Sequence, residues 1–263
     1  MKRIKKASFL TKSRDWIRAL FVLAFYGMVL IPHLSGYPGY EMETEFVVMG
    51  SILIFGPWFC GWACPFGNAS YFMARLGNII FPKWQFQIPN KYHKVASFLK
   101  YGLLFYFVGL MILQGVNYFG DHMQMYQTNG FTQFYIKFKH VAVLLVPLCI
   151  PRFFCKYLCF QKGGYNLLNR ILPVSKIIRL SEVCINCRKC DRVCPMQLQP
   201  SQHHYIVGND CLSCFNCLDK DICPPNKKAL NLQVWGKKRS PIQFGLLVLG
   251  IYILFTMLCL YFL

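Results

Sequence analysis

Five apolar runs punctuate the chain, at about residues 16–34, 46–63, 97–117, 135–154 and 241–262. A bilayer-spanning helix needs about 20 apolar residues, within a range of about 17–25. The first, third and fifth runs fit that length well. The second contains Gly56 and Pro57, and the fourth carries Lys137, Lys139 and His140 near its start and Pro147 inside it. Proline is tolerated in membrane helices where neighbouring groups satisfy the freed backbone. The expectation is a mainly α membrane protein of about five transmembrane helices.

The polar positions between the runs are unevenly charged. Seven Lys/Arg precede or include Arg18, four lie in 65–97 and fifteen in 152–240, whereas the 35–45 loop carries only Glu41, Glu43 and Glu45. Lys and Arg accumulate on the cytoplasmic side of membrane proteins. The N-terminus and residues 155–240 are therefore expected in the cytoplasm of a prokaryotic inner membrane, and the C-terminus outside. The basic start is followed by an apolar run without a small-residue cleavage site, which reads as a retained helix. The formal charge of +19 would suit nucleic acid, but a 55% hydrophobic composition argues for lipid contact and against nucleic acid.

Fourteen cysteines change the picture. Residues 184–195 read CINCRKCDRVCP, the C-x2-C-x2-C-x3-C-P run of bacterial ferredoxins. Residues 211–224 read CLSCFNCLDKDICP, the same run with two more residues in its last gap. In two-cluster ferredoxins the fourth Cys of each run ligates the other cluster. One [4Fe–4S] cluster is accordingly assigned to Cys184, Cys187, Cys190 and Cys223, the other to Cys211, Cys214, Cys217 and Cys194. Zinc also takes sets of four cysteines, but three cysteines at two-residue gaps and then Cys-Pro, twice, is far more specific. Expected domains are residues 1–172 in the membrane, 173–236 as a ferredoxin-like unit, and 237–263 as a C-terminal transmembrane helix.

Four further cysteines form Cys-x3-Cys pairs, in WFCGWAC at 58–64 and FFCKYLC at 153–159. The echo extends to aromatics at Trp58/Phe153, Phe59/Phe154 and Trp62/Tyr157, so helices one–two and three–four read as two copies of one hairpin. Parallel repeats are related by an axis along the membrane normal. Such an axis brings Cys60, Cys64, Cys155 and Cys159 to one inner face. Residues i and i+4 share a helix face, and each pair can bite one metal. Pro65 marks a helix end near Cys64; Gly163 and Gly164 are its counterpart in the second copy. Four thiols there suit an iron–sulfur cluster, a copper or zinc ion, a redox-active thiol pair, or close helix packing.

Other candidates are weaker. Cys149 and Cys259 read as small core residues. His203 and His204 read as solvated. His33 and His122 stand near the expected outer surface, where quinone or proton contact is open to them. His140 is more suggestive, since ionisable groups inside a span are costly and often functional. Trp58, Trp62 and Tyr157 read either as packing for a quinone ring or cluster, or as interfacial anchors. No nucleotide-binding glycine fingerprint and no haem-attachment C-x-x-C-H occurs.

Two Cys-x3-Cys motifs after membrane helices, followed by a two-cluster ferredoxin segment, resemble the NapH/NosR/CcoG-type polyferredoxin membrane proteins. NapH-type proteins are nearest in length. The resemblance implies an electron-transfer subunit of the quinol dehydrogenase type, working with quinone and with redox protein partners in a multi-subunit respiratory complex. It also leaves two other roles open: copper reduction during oxidase assembly, and non-catalytic anchoring of a redox complex. Phe160 stands where the family motif has proline after the second pair.

Overall fold

The computed structural model describes residues 15–20, 23, 50–114, 130–172, 174–206, 210–219, 222–223 and 229–262, with the side chains of 114, 136, 252, 255, 256 and 258–262 excepted. Most of the first expected span, the loops around His33 and His122, and the Cys259 side chain lie outside the described residues.

Residues 50–55 are helical and stop at Gly56, whose φ of 75° suits glycine. The chain restarts as α1 (Trp58–Trp62), then α2 (Pro65–Ile80). α3 (Asn90–Ala96) leads into α4 (Leu99–Gln114), followed by α5 (Gly130–Leu144), α6 (Phe153–Tyr157) and α7 (Phe160–Ile171). The stretch from Asn90 to Leu113 is long and apolar enough to cross a membrane, and among the described residues it is the one such helix. α9 (Pro241–Phe262) is opened by a capping box: Gln243 N donates to Ser240 Oγ at 3.2 Å, and Ser240 N donates to Gln243 Oε1 at 3.1 Å.

The fourth expected span is corrected. Residues 135–154 do not form one helix. α5 ends at Leu144, a 3-10 turn covers Val146–Leu148 around Pro147, and α6 begins at Phe153. Pro147 lacks an N–H and clashes with the preceding turn, so the chain reverses there. As a result the start of α5 returns to the level of α7, and Tyr135 Oη donates to the Leu158 carbonyl at 2.8 Å. The turn packs onto α2 at Gly77, where an added Cβ would meet the Leu148 carbonyl at 2.2 Å.

The ferredoxin-like segment forms a four-stranded antiparallel sheet in the order β2-β1-β3-β4, from β1 (Ser175–Arg179), β2 (Tyr205–Ile206), β3 (Leu230–Val234) and β4 (Lys237–Arg239). Ile177 pairs with Ile206 on one side and Leu232 on the other. The inward residues Ile177, Ile206, Leu232 and Val234 share one buried core with Trp58, Trp62, Phe215, Phe244 and Val248. Helices and sheet therefore bury one another's apolar surface, and β4 extends the sheet through Lys237–Arg239, at the foot of α9.

Candidate metal centres

The two ferredoxin-type runs adopt the same loop twice. Asn186 and Arg188 flank Cys187 with φ of 55° and 54°, and Ser213 and Phe215 flank Cys214 with φ of 50° and 56°. Left-handed non-glycine residues are uncommon, so their recurrence at matching positions marks a built conformation. Backbone turns of this kind gather N–H groups into anion-binding concavities, including many Fe–S sites. Two such donors already aim at sulfur: Ser213 N approaches Cys211 Sγ and Ala229 N approaches Cys223 Sγ, both at 3.4 Å. Each loop then enters a helical turn, α8 (Lys189–Val193) in the first and Asn216–Leu218 in the second. Asp191 pins α8 by accepting from Ser201 N at 2.8 Å and Ser201 Oγ at 2.5 Å.

Cys184, Cys187, Cys190 and Cys223 line one cavity of about 30 Å³, together with apolar Val183, Ile185 and Ile222. The fourth cysteine thus comes from the other run. Cys217 has Cys214, Cys194, Cys211 and Cys190 as electrostatic neighbours, and Cys194 has Cys214 and Cys211. The second group is therefore Cys211, Cys214, Cys217 and Cys194, adjoining the first through Cys190. Burial pushes the Cys194 thiol up to about 12 and the Cys211 thiol up to about 11. Both are neutral at pH 7 until a metal displaces the proton.

Cys60, Cys64, Cys155 and Cys159 line a second cavity, of about 40 Å³. Each motif is a short helix, a break, and a new helix starting just after its second cysteine. Cys64 and Cys159 are the N-caps of α2 and α7, with Pro65 at the first position of α2, and Cys64 Sγ accepts from Gly67 N at 3.4 Å. Gly163 and Gly164 lie inside α7 and do not end it, a correction to the expected helix stop. Phe160 takes the place of Pro65 and α7 still starts there, because the first residue of a helix needs no N–H partner; unlike Cys64, Cys159 makes no side-chain capping hydrogen bond. Among the described residues no three Cys, His, Asp or Glu side chains converge closely enough for a single ion. The thiols surround voids instead.

The two cysteine regions adjoin. Cys60, Cys155 and Cys214 belong to one buried cluster with Met196 and Leu212, against which Cys194 also packs. Gly61 makes the approach possible: a Cβ there would meet the Leu212 carbonyl at 2.2 Å. Trp62 Nε1 donates to the Ser213 carbonyl at 2.7 Å. Asp210, next to Cys211, accepts from Lys100 of α4 and from Asn166 of α7.

Trp58, Trp62 and Tyr157 are buried, which replaces the anchoring alternative with a packing role. Tyr157 Oη lies 2.9 Å from His93 Nδ1. His140 is exposed, its ring edge-on to Phe66 at 6.5 Å. Its neighbour Lys139 is the residue that lines the thiol cavity. His203 and His204 are exposed, and Cys149 is half-buried. Sequence reasoning did not single out Lys100, Arg152, Lys156, Lys162 or Asp210. A charge inside or beside an apolar run was the available signal for the cations, and it was spent on orientation.

Donor chemistry and loop shape together define the class: an iron–sulfur protein of the electron-transport type. The family model for a 4Fe-4S binding domain matches residues 46–83 and 140–175, the two Cys-x3-Cys halves. Among its relatives the chain is 28% identical to the uncharacterized protein MJ0750 of Methanocaldococcus jannaschii, over 84% of this chain and 90% of that one. It is 29% identical to YccM of Escherichia coli, named for electron transport, over 73% of this chain and 57% of the relative. It is 28% identical to the regulatory protein NosR of Pseudomonas aeruginosa, over 66% of this chain and 26% of the relative. No solved structure matches the chain. These likenesses agree with the resemblance of its motifs to the NapH/NosR-type polyferredoxins.

Proposed function

We propose that the chain is a membrane-bound electron relay with three thiol sites in line. Cys184, Cys187, Cys190 and Cys223 hold one [4Fe–4S] cluster, and Cys211, Cys214, Cys217 and Cys194 hold the next. Cys60, Cys64, Cys155 and Cys159 hold a third at the membrane edge. Bound clusters supply reversible one-electron transfer, each one's oxidation balanced by its neighbour's reduction. The protein's residues supply sulfur ligands, backbone donors and an apolar shell that excludes water. The observation that carries this reading is the shared buried cluster of Cys60, Cys155 and Cys214, brought close by Gly61.

The membrane part of the proposal is a multi-pass bundle with the N-terminus and the ferredoxin-like segment in the cytoplasm. Its support is the charge asymmetry and the outward apolar side chains of α4 and α9, among them Phe105, Ile112, Leu113, Leu254 and Met257. Quinol or a reduced partner protein in a respiratory complex supplies the electrons at one end, and a redox protein takes them at the other. The test is anaerobic addition of a quinol to protein purified with its iron. Reduction of the clusters, followed by absorbance and EPR, is expected. Clusters that no quinol and no membrane extract reduces, or electron flow in cells undiminished by Cys184→Ser with Cys211→Ser, would overturn the relay.

A further inference from the structure

Four cations are buried around the cavity of the Cys-x3-Cys cysteines. Lys139 and Lys162 line it. Arg152, the residue before α6, reaches the Cys60 carbonyl at 3.4 Å, and an added Cβ on Gly67 would meet its Nη1 at 2.8 Å. Lys156, beside Cys155 in sequence, has Cys194 and Cys155 as electrostatic neighbours. Lys139 is 7% exposed and the other three 1%.

Their partners are neutral. Lys162 Nζ donates to the Cys211 carbonyl at 2.7 Å, Lys156 Nζ to Gln197 Oε1 at 3.2 Å, and Lys139 Nζ stands 4.4 Å over the Phe66 ring. The Arg152 Nε has no hydrogen-bond partner. The described carboxylates Asp15 and Asp210 pair with Arg18, Arg75 and Lys100. No described carboxylate pairs with these four. A buried charge is costly unless an opposite charge meets it. The N-terminal ends of α2 and α7, at Cys64 and Cys159, add further positive potential. The cavity is therefore built for an anion.

We propose that Lys139, Arg152, Lys156 and Lys162 are the counter-charge of the anionic cluster that Cys60, Cys64, Cys155 and Cys159 ligate, and that they hold its reduction potential above that of the Cys184, Cys187, Cys190 and Cys223 cluster. The inference rests on the reading that the cavity holds such a cluster. A [4Fe–4S] group on four thiolates is anionic and gains one negative charge when one electron enters it. Buried positive charge favours that reduced form, and net charge and exposure set cluster potentials. The cations beside the first ferredoxin run, Arg188, Lys189 and Arg192, are exposed, where water and salt screen them. An electron shared among the sites then rests preferentially on the cluster at the Cys-x3-Cys cysteines.

The test is an EPR-monitored redox titration of the full chain with its iron content measured. Lys139→Met keeps the side-chain length and removes the charge. It is expected to retain iron and to lower the potential of the signal that Cys60→Ser with Cys155→Ser abolishes, leaving the Cys184-group signal unmoved. Lys139→Arg is expected to restore the potential. Arg152→Met against Arg152→Lys gives the same comparison should Lys139→Met not accumulate. An unchanged potential in both charge-removing variants, with iron retained, overturns the counter-charge. Iron content and signals unaltered by Cys60→Ser with Cys155→Ser overturn instead the cluster in the cavity.

Discussion

Trp62 Nε1 donates to the carbonyl of Ser213 at 2.7 Å, across 151 residues of sequence. The donor lies inside the first Cys-x3-Cys motif and the acceptor inside the second ferredoxin-type run. The indole is 1% exposed, packs on Gly245 of α9 and stands 6.0 Å from the Phe215 ring. One side chain thus ties the first Cys-x3-Cys motif, the ferredoxin loop and the last helix together. Trp62→Phe keeps the ring but strands a buried carbonyl, which costs about 1–3 kcal/mol. The expected result is a lower melting temperature with unchanged iron content, read by calorimetry beside an iron assay.

Gly61 is the tightest point of the same junction. Gly61→Ala forces the Leu212 backbone outward, and overpacking of this kind costs about 1–3 kcal/mol. Slower electron exchange between the Cys60 site and the Cys211 site is expected, measured by freeze-quench EPR after fast reduction. Exchange at the wild-type rate would separate the two sites functionally.

Lys100 and Asp210 form an ion pair whose lysine is fully buried and whose aspartate is 19% exposed. Removing one partner of a buried pair costs roughly 3–5 kcal/mol, whereas replacing both with apolar groups is often neutral. Lys100→Met is therefore expected to destabilise more than Lys100→Met with Asp210→Leu. Urea unfolding of the single and double variants checks the ordering. Asn166 also donates to Asp210, which makes Asp210→Leu alone the harsher single change.

The cysteine groups predict which substitutions look alike. Cys223→Ser is expected to remove the same EPR signal as Cys184→Ser, although 39 positions separate them (223 − 184). Cys194→Ser is expected to remove the signal that Cys211→Ser removes. Loss of one signal by Cys184→Ser and Cys194→Ser together would mean that each run closes on itself.

Much of this was legible in the chain itself. Thiols at fixed short gaps fix their own loop, because a few residues cannot separate them far. The ferredoxin runs were readable for that reason, and so was the echo between the two Cys-x3-Cys motifs. Helix caps were readable in part: Pro65 announced a boundary. Gly163 and Gly164 misled: they lie inside α7 against α4, where an added Cβ on either would make only an ordinary contact.

Only the tertiary structure decided how these local pieces meet. Hydropathy joined residues 135–154 into one span, and the turn at Pro147 divided them. That reversal brings Tyr135 to Leu158 and carries Lys139 to the thiol cavity while His140 stays outside. Apolar patterning reports that a face is buried but not which partner buries it. The sequence by itself determined the ligand chemistry and the local turns, because both depend on neighbours within a few residues. The packing of Gly61 on Leu212, the shared core of helices and sheet, and the arrival of Lys139 and Lys162 at the cavity of four thiols depend on contacts far apart along the chain. They follow from mutual burial, which the folded chain alone specifies.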